Sequence, residues 1–531
     1  MNYISKRISI LLKLLVILSV PALTFVISYL HRFKFRVFTA GLAFLIIIII
    51  VSRVKLEKLK LVESGVLLLI ASYIDKLLIG LYSVKFGKII KLVYKYTEIK
   101  VKYNLVYFAV SMAIFFGIFF FVYLFYKKIW PVIVDFFKNL TKSERVFLTI
   151  TSIFAVILCG IVVYNTIAFG VTPSKWQYDV IYSSDSSEIV KKDAWLSIPH
   201  PENDIRQPLF GVFGFPFAVA GHFLSDVLFF VPKGFSYEYV MMVFQYIILA
   251  VSIILFARLI EKKEKNKKYV FMLFGLSFPY LLFGMILEQY VLCIFYLSLC
   301  LYAFFNDTKF RSLAYVGAVG TLLTSGVLIL YNKWKEFKTA ILNVLKIIGT
   351  GIAVTVLSGQ FVIVFNLKDQ IDHIVRFASH GVPFINRVEQ FLYFARSLFV
   401  APHGYITNDN LFTKIKFPSY QLVNVHTISI IGIVVLAIML LSLIINHKDK
   451  MAITSFLWII FSFIVLVCVG WGTYENGLIL YSLYFSWAFY TLFYKLFKHK
   501  ILLLIPIAIF FVLNSIEIYN ILRFAFTYYI R

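Results

Sequence analysis

Apolar runs of about 20 residues recur along this chain, divided by short basic stretches, and that length carries a helix across a hydrocarbon core of roughly 30 Å. Near the N-terminus the pattern predicts spans at 9–30, 36–52, 66–82, 103–126 and 146–169. The third is interrupted, because Asp75 and Lys76 stand in its middle. An ionisable residue at bilayer depth points to function, and the alternative is a segment that lies at the interface. Neighbours in sequence project about 100° apart on a helix, so these two do not form a simple ion pair. Residues 83–102 intersperse Lys85, Lys88, Lys91, Lys95, Lys100 and Lys102 with apolar positions, which predicts a basic amphipathic helix on the headgroups. A second such segment, KKIWPVIVDFFKNLTKSER, precedes the span at 146.

The stretch VTPSKWQYDVIYSSDSSEIVKKDAWLSIPHPENDIRQPLFG, Val171 to Gly211, is the first long polar segment. It gathers Asp179, Asp185, Glu188, Asp193, Glu202 and Asp204, with His200 and Arg206, in a chain poor in acids. Residues 208–234 follow, long enough to span but holding Pro208, Pro216, four glycines, His222 and Asp226. The clean span 236–259 ends in RLIEKKEKNKK, a cytoplasmic signal. If 170–206 is external and 261–268 internal, an odd number of crossings separates them, so 208–234 is expected to be re-entrant or interfacial. Spans at 269–286 and 290–305 come next, with Glu288 and Gln289 at their external junction. The segment 312–331 has basic residues on both flanks, which suits a hairpin broken near Thr324–Gly326. Span 341–365 leads to a second external region, 366–423, with Lys368, His373, Arg376, His380, Arg387, Arg396, His403 and Asp409. Spans 424–446, 451–470, 476–494 and 501–520 complete the chain, with HKDK and KLFKHK on the inner side. The fold expected is all-α: a polytopic transmembrane helical bundle of about 13 crossings plus re-entrant or interfacial helices.

Composition agrees with the pattern. Of 531 residues 61% are hydrophobic and 15% charged, against about 25% charged in soluble domains. Barrel strands are excluded, because they alternate apolar and polar residues and these segments do not. The net charge of +26 belongs to short loops that hold topology and meet anionic lipid. No basic stretch forms a domain of its own, so nucleic acid is not an expected partner. Cys159, Cys293, Cys300 and Cys468 all lie in apolar runs and suggest neither zinc nor a disulfide framework. The start, MNYISKRISILLKLLVILSV, reads as an uncleaved first span. No P-loop pattern appears in the loops expected to be cytoplasmic.

Two polar regions, one acidic and one basic, are thus expected to share a leaflet. That arrangement suits a reaction between a lipid phosphate ester and a hydroxyl: a carboxylate takes the proton, and arginines and histidines hold the phosphate. The same residues also have plainer uses. Asp185 and Ser186 suit a helix cap, Glu202, Asp204 and Arg206 a local ion pair, and Arg376, Arg387 and Arg396 suit anchors on an amphipathic external helix.

The acidic YSSDSSEIV soon after a span, HPENDIRQPLFG from His200 to Gly211, Glu288 at the outer end of a later helix and the Gly-rich 312–331 resemble the GT-C superfamily of membrane glycosyltransferases. Protein O-mannosyltransferases and the aminoarabinose transferase of lipid A are members. The resemblance covers roughly 146–500 and makes 1–145 an N-terminal transmembrane extension and 501–531 a C-terminal span and tail. It departs from the family in two places: the paired acidic motif is a single Asp185 followed by Ser186, and the compact H-P-P-L is stretched to HPENDIRQPL. The resemblance implies sugar transfer from a polyprenyl-phosphate donor to a cell-envelope glycan or lipid acceptor on the external face, and the Lys-, Phe- and Ile-rich composition points to a bacterial plasma membrane. The catalytic base stays open among Asp185, Asp179 and Asp204. His200, Glu202, Arg206, Gln207, Glu288, Arg376, Arg387, Arg396 and His403 are the candidates for holding the lipid phosphate and substrates. No resident cofactor is implied, and dependence on a divalent metal is left open. Two other activities fit the same pattern, a lipid-linked sugar flippase or other transporter and a lipid-linked glycan polymerase or ligase.

Overall fold

Helices follow the apolar runs because a backbone in hydrocarbon finds no water and must satisfy its own N–H and C=O groups. The computed structural model describes residues 2–30, 35–54, 59–97, 103–168, 181, 195, 206–228, 235–331, 336–361, 368, 371–372, 375, 378, 382–402, 406–409, 416–419, 429–471 and 477–528. Its helices are α1 (Asn2–Leu30), α2 (Arg36–Arg53), α3 (Leu61–Thr97), α4 (Tyr103–Leu124), α5 (Trp130–Lys138), α6 (Lys142–Ala168) and α7 (Phe210–Val227). Then come α8 (Ser236–Ile260), α9 (Glu264–Gly275), α10 (Phe278–Met285), α11 (Tyr290–Phe305), α12 (Arg311–Thr321) and α13 (Phe337–Leu357). The last five are α14 (Phe384–Ser397), α15 (Ile430–Ile445), α16 (Lys450–Phe463), α17 (Ser482–Leu496) and α18 (Leu504–Tyr528). One antiparallel pair of short strands, Ile406–Asp409 with Lys416–Ser419, is the only sheet among the described residues. Among those residues nine helices are long and apolar enough to cross a membrane, ten if the bent pair α9–α10 is one span. The chain is a multi-pass, helical membrane protein.

The chain divides into two units, the first comprising Met1–Leu140, Ile198–Val212 and Lys333–Asn366. In it α1 packs on α2 and α4, α3 on α4, and α13 on α1 and α2. Val20, Ile47, Val51 and Phe120 form its buried core, with Val16, Ile50 and Leu357 against them. Gly117 lets α4 approach α1 closely: a Cβ there would stand 3.2 Å from Leu23 Cβ and 3.3 Å from the Ser19 carbonyl oxygen. Gly359, at φ +74°, ends α13 in the left-handed conformation that glycine adopts without cost. Two sequence expectations change here. Residues 66–82 and 83–97 are not a short span followed by a separate surface helix, because α3 is one helix of 37 residues, and 98–102 lie outside the described residues. Likewise the basic segment after 126 continues the preceding span. A π-helical turn at Phe125–Ile129 joins α4 to α5, giving one apolar stretch over Phe108–Lys138.

The second unit comprises Thr141–Ser197, Phe213–Asn332 and Leu367–Arg531. Helix α8 is at its centre, with 78% of its apolar window buried against 22% for that of α6. It packs on α6, α9, α10 and α11. Phe256 of α8 stacks on Trp487 of α17 at 5.2 Å between centroids, and Trp458 and Phe274 close the aromatic core around them. Helix α7 is continuous through Pro216 and counts among the nine, so the described part of 208–234, expected to be re-entrant or interfacial, is long and apolar enough to cross. Breaks occur elsewhere. Helices α9 and α10 meet at 63°. Helix α12 stops at Leu322, which is extended, and a 3₁₀ helix runs from Leu323 to Tyr331. That break precedes the expected one at Thr324–Gly326 by one turn of chain or less.

Candidate functional site

The ends of the second unit's helices carry different chemistry. At one end Thr141 and Glu144 form a capping box, the Thr141 amide donating to Glu144 Oε2 at 3.1 Å and the Glu144 amide to Thr141 Oγ1 at 3.4 Å. The Glu144 carboxylate is fully buried. It accepts two bonds from Arg258, Nε to Oε1 at 2.9 Å and Nη2 to Oε2 at 2.7 Å, and a third from Lys267 Nζ at 3.0 Å. A charge taken out of water persists only when paired and bonded on every side, and this one is. Beside it Glu261 Oε2 accepts from Tyr494 Oη at 2.6 Å, and Lys495 Nζ donates to Asp449 Oδ2 at 2.7 Å and to the Ile260 carbonyl at 3.5 Å. Burial works to raise the Glu261 carboxyl, but the Tyr494 hydroxyl and the Lys263 amide overrule it and hold it below its usual value. Asp449 is likewise lowered, with burial opposed by Lys495 and the Ala452 amide. The basic segments around 262–268, 447–450 and 495–500 therefore meet at one end.

The helices act as rulers from that end. Gln245 lies about 20 Å up α8 from Arg258, at 1.5 Å per residue. There its Nε2 donates to the backbone carbonyl of Glu288 at 2.9 Å. Glu288 is fully buried, in the break between α10 and α11, where Ile286 is extended. Its Oε1 accepts from the Gln289 amide at 2.8 Å. Cys293 Sγ, a turn into α11, donates to the Thr321 carbonyl at 3.2 Å, where α12 ends. Beyond that break Ser325 Oγ lies 3.0 Å from Tyr484 Oη, and Thr324 Oγ1 donates to the same oxygen at 3.3 Å. Polar groups thus line the two backbone breaks, which is where orphaned carbonyls require partners.

Helix α14 lies within the region 366–423. It runs into the bundle and buries Phe391, Phe394 and, just past its end, Leu398. At its start Arg387 Nη1 donates to the Cys468 carbonyl at 3.1 Å. Cys468 lies about 28 Å along α16 and its π turn from Asp449, the far end of that helix. Phe391 then meets Phe463, Phe394 meets Phe485, and the Leu398 carbonyl accepts from Tyr490 Oη at 2.5 Å. The helix therefore enters from the end opposite the basic cluster and stops about half-way in. Gly432 of α15 admits it, because a Cβ there would strike the Leu392 carbonyl. Asn514 of α18 receives its tip: Oδ1 accepts from the Ala401 amide at 2.9 Å, and Nδ2 donates to the carbonyls of Phe399 at 3.1 Å and Leu276 at 3.3 Å. Leu276 is at the α9–α10 bend, so one fully buried amide stitches two backbone ends inside the bundle. A small cavity beside it is lined by Leu276, Ser277, Phe399, Tyr490 and Phe510. Arg396 is half-buried near the tip, its guanidinium over the Tyr393 ring at 5.5 Å and its Nε buried without a hydrogen-bond partner among the described residues.

The predicted site residues divide accordingly. Asp179, Asp185, His200, Glu202, Asp204, Arg376 and His403 lie outside the described residues. Arg206 and Gln207 belong to the first unit, Gln207 buried and Arg206 half-buried in the turn before α7. Glu288, Arg387 and Arg396 belong to the second unit. Within the acidic stretch Ile181 and Trp195 are described, and both are buried. Trp195 packs edge-on to Phe217 and over Gly214, where a Cβ would stand 3.2 Å from its carbonyl oxygen. Among the described residues no cluster of three His, Cys, Asp or Glu is placed to hold a metal ion. Asn514, Gln245 and Tyr484 went unremarked in the sequence reading; for the first two the signal was a lone amide in an apolar run. No protein-family model, curated protein or solved structure matches the chain.

Proposed function

We propose that this chain is a GT-C-like glycosyltransferase of a bacterial plasma membrane, with its site on the external face and about 13 crossings in all. The observation that carries the reading is α14, which brings Arg387 and Arg396 into the bundle from the end opposite the basic cluster. A buried Nε with no partner among the described residues suits an anionic oxygen, and guanidinium geometry suits a phosphate. In this reading Asp185 takes the proton from an acceptor hydroxyl. The acceptor oxygen bonds to the sugar carbon, the bond from that carbon to the phosphate oxygen breaks with inversion, and polyprenyl phosphate departs. Arg376, Arg387 and Arg396, all of the second unit, hold the leaving phosphate, with Glu288 and His403 around the substrates. Asp179 and Asp204 are the other candidates for the base.

The test is turnover of a panel of undecaprenyl-phosphate sugars by the purified protein in lipid. Loss of turnover in Asp185→Asn, with a fall of about a hundredfold in Arg396→Gln, supports the proposal. Full turnover in Asp185→Asn moves the base to Asp179 or Asp204. A lipid-linked sugar transporter is the second reading, favoured by the 63° bend between α9 and α10, since broken helices line transport sites. Translocation of lipid-linked sugar without turnover would establish it instead.

A further inference from the structure

Helix α3 carries two charges, Asp75 and Lys76, that find no partner among the described residues. Glu63, near its start, accepts from the Lys60 amide at 3.1 Å and from Tyr126 Oη at 3.0 Å, beside Lys127, and marks the interface end. Asp75 is about 18 Å further along the helix, more than half of a 30 Å hydrocarbon core. From Ser64 to Val84 the sequence carries no charge except Asp75 and Lys76, which stand at its middle. Asp75 is half-buried and its Oδ1 is buried with no hydrogen-bond partner among the described residues. Lys76 is exposed, and no described residue pairs with it. A charge at this depth is costly unless it meets a partner. Leu67, Ala71 and Ile74 bury a neighbouring stripe of the helix, on the side of Asp75 away from Lys76, within the unit.

The angular placement identifies the occupant. At about 100° per residue, Asp75 and Lys76 flank a strip formed by Gly65, Leu68, Ser72 and Ile79. Gly65, Leu68 and Ser72 are exposed, and a Cβ on Gly65 would meet nothing within 4 Å. Two small residues on one strip permit close helix approach in a membrane. A twofold axis along the membrane normal maps Asp75 of one copy to the side of the strip where Lys76 of the other lies, and the reverse. The two heights differ by about 1.5 Å. One self-complementary contact therefore neutralises four charges, as a twofold interface does. The geometry points to α3 as the dimerisation helix of this protein, a second copy docking on the Gly65–Ser72 strip through reciprocal Asp75–Lys76 pairs.

Disulfide cross-linking in native membranes tests this with the full chain. Ser72→Cys is expected to give an oxidant-dependent dimer. Ile157→Cys, on the exposed face of α6, serves as the control and is expected to give none. In the Ser72→Cys background, Asp75→Lys and Lys76→Asp each reduce cross-linking to the control level, and the double exchange restores it. Light scattering of the detergent-solubilised wild type reads two chains per particle. A monomeric wild type, equal cross-linking at the two cysteines, a double exchange no better than the singles, or an Asp75-dependent particle containing a different protein would each overturn the proposal.

Discussion

Single side chains in this protein carry loads that hydropathy does not register. Asn514 is one polar group in an apolar helix, yet it satisfies two carbonyls and an amide. Asn514→Leu is expected to cost about 3 kcal/mol, the penalty of leaving buried backbone groups unpaired, and thermal unfolding in detergent measures it. Glu144→Gln strands Arg258 and Lys267 at a buried site, at a cost of about 3 kcal/mol. The double variant with Arg258→Gln is expected to recover part of that loss, and a double-mutant cycle reads the coupling. Asp449 supplies a pH test. Its carboxyl is lowered from 3.8 in the folded chain, so its stabilisation is complete above that value and is lost as pH falls through the lowered one. The gap in melting temperature between wild type and Asp449→Asn is therefore expected to be constant near neutrality and to close in acid below pH 3.8. A gap that persists unchanged to the lowest pH would refute the assignment.

At the scale of elements, the runs of apolar residues located most helices but not their depth. Spans expected at 36–52, 236–259 and 290–305 match α2, α8 and α11 within a residue or two, because a continuous apolar stretch leaves the backbone no alternative to helix. Helix α14 was not legible in this way. Its sequence FINRVEQFLYFARS mixes charge with aromatics and reads as a surface helix, and only the glycine opposite Leu392 and the amide of Asn514 let it enter. Gly432→Ala is accordingly expected to push α14 out, which increased labelling of a cysteine placed at Phe394 would detect. The breaks at Leu276 and Leu322 likewise depend on partners distant in sequence, Asn514 for the first and Tyr484 just beyond the second.

Across the second unit, the described charges gather at one end. The sequence parity that grouped 261–268, 447–450 and 495–500 agrees with the contacts among Glu261, Tyr494, Lys495 and Asp449. Of the candidate chemistry, Glu288 was singled out as an acid in an apolar setting and stands buried at a break, whereas a sequence-remote meeting such as Arg387 with the Cys468 carbonyl leaves no local trace. The dependence of α14 on Asn514 also has a consequence in time. The amide that receives Ala401 lies 113 residues later in the chain, so during synthesis α14 emerges long before the group that holds its tip. Ribosome-bound chains stalled before Asn514 is made should therefore leave 384–401 open to protease, and release of the full chain should close it. Biogenesis of this protein then has a checkpoint at its last long helix, and a membrane chaperone would be needed most in that interval.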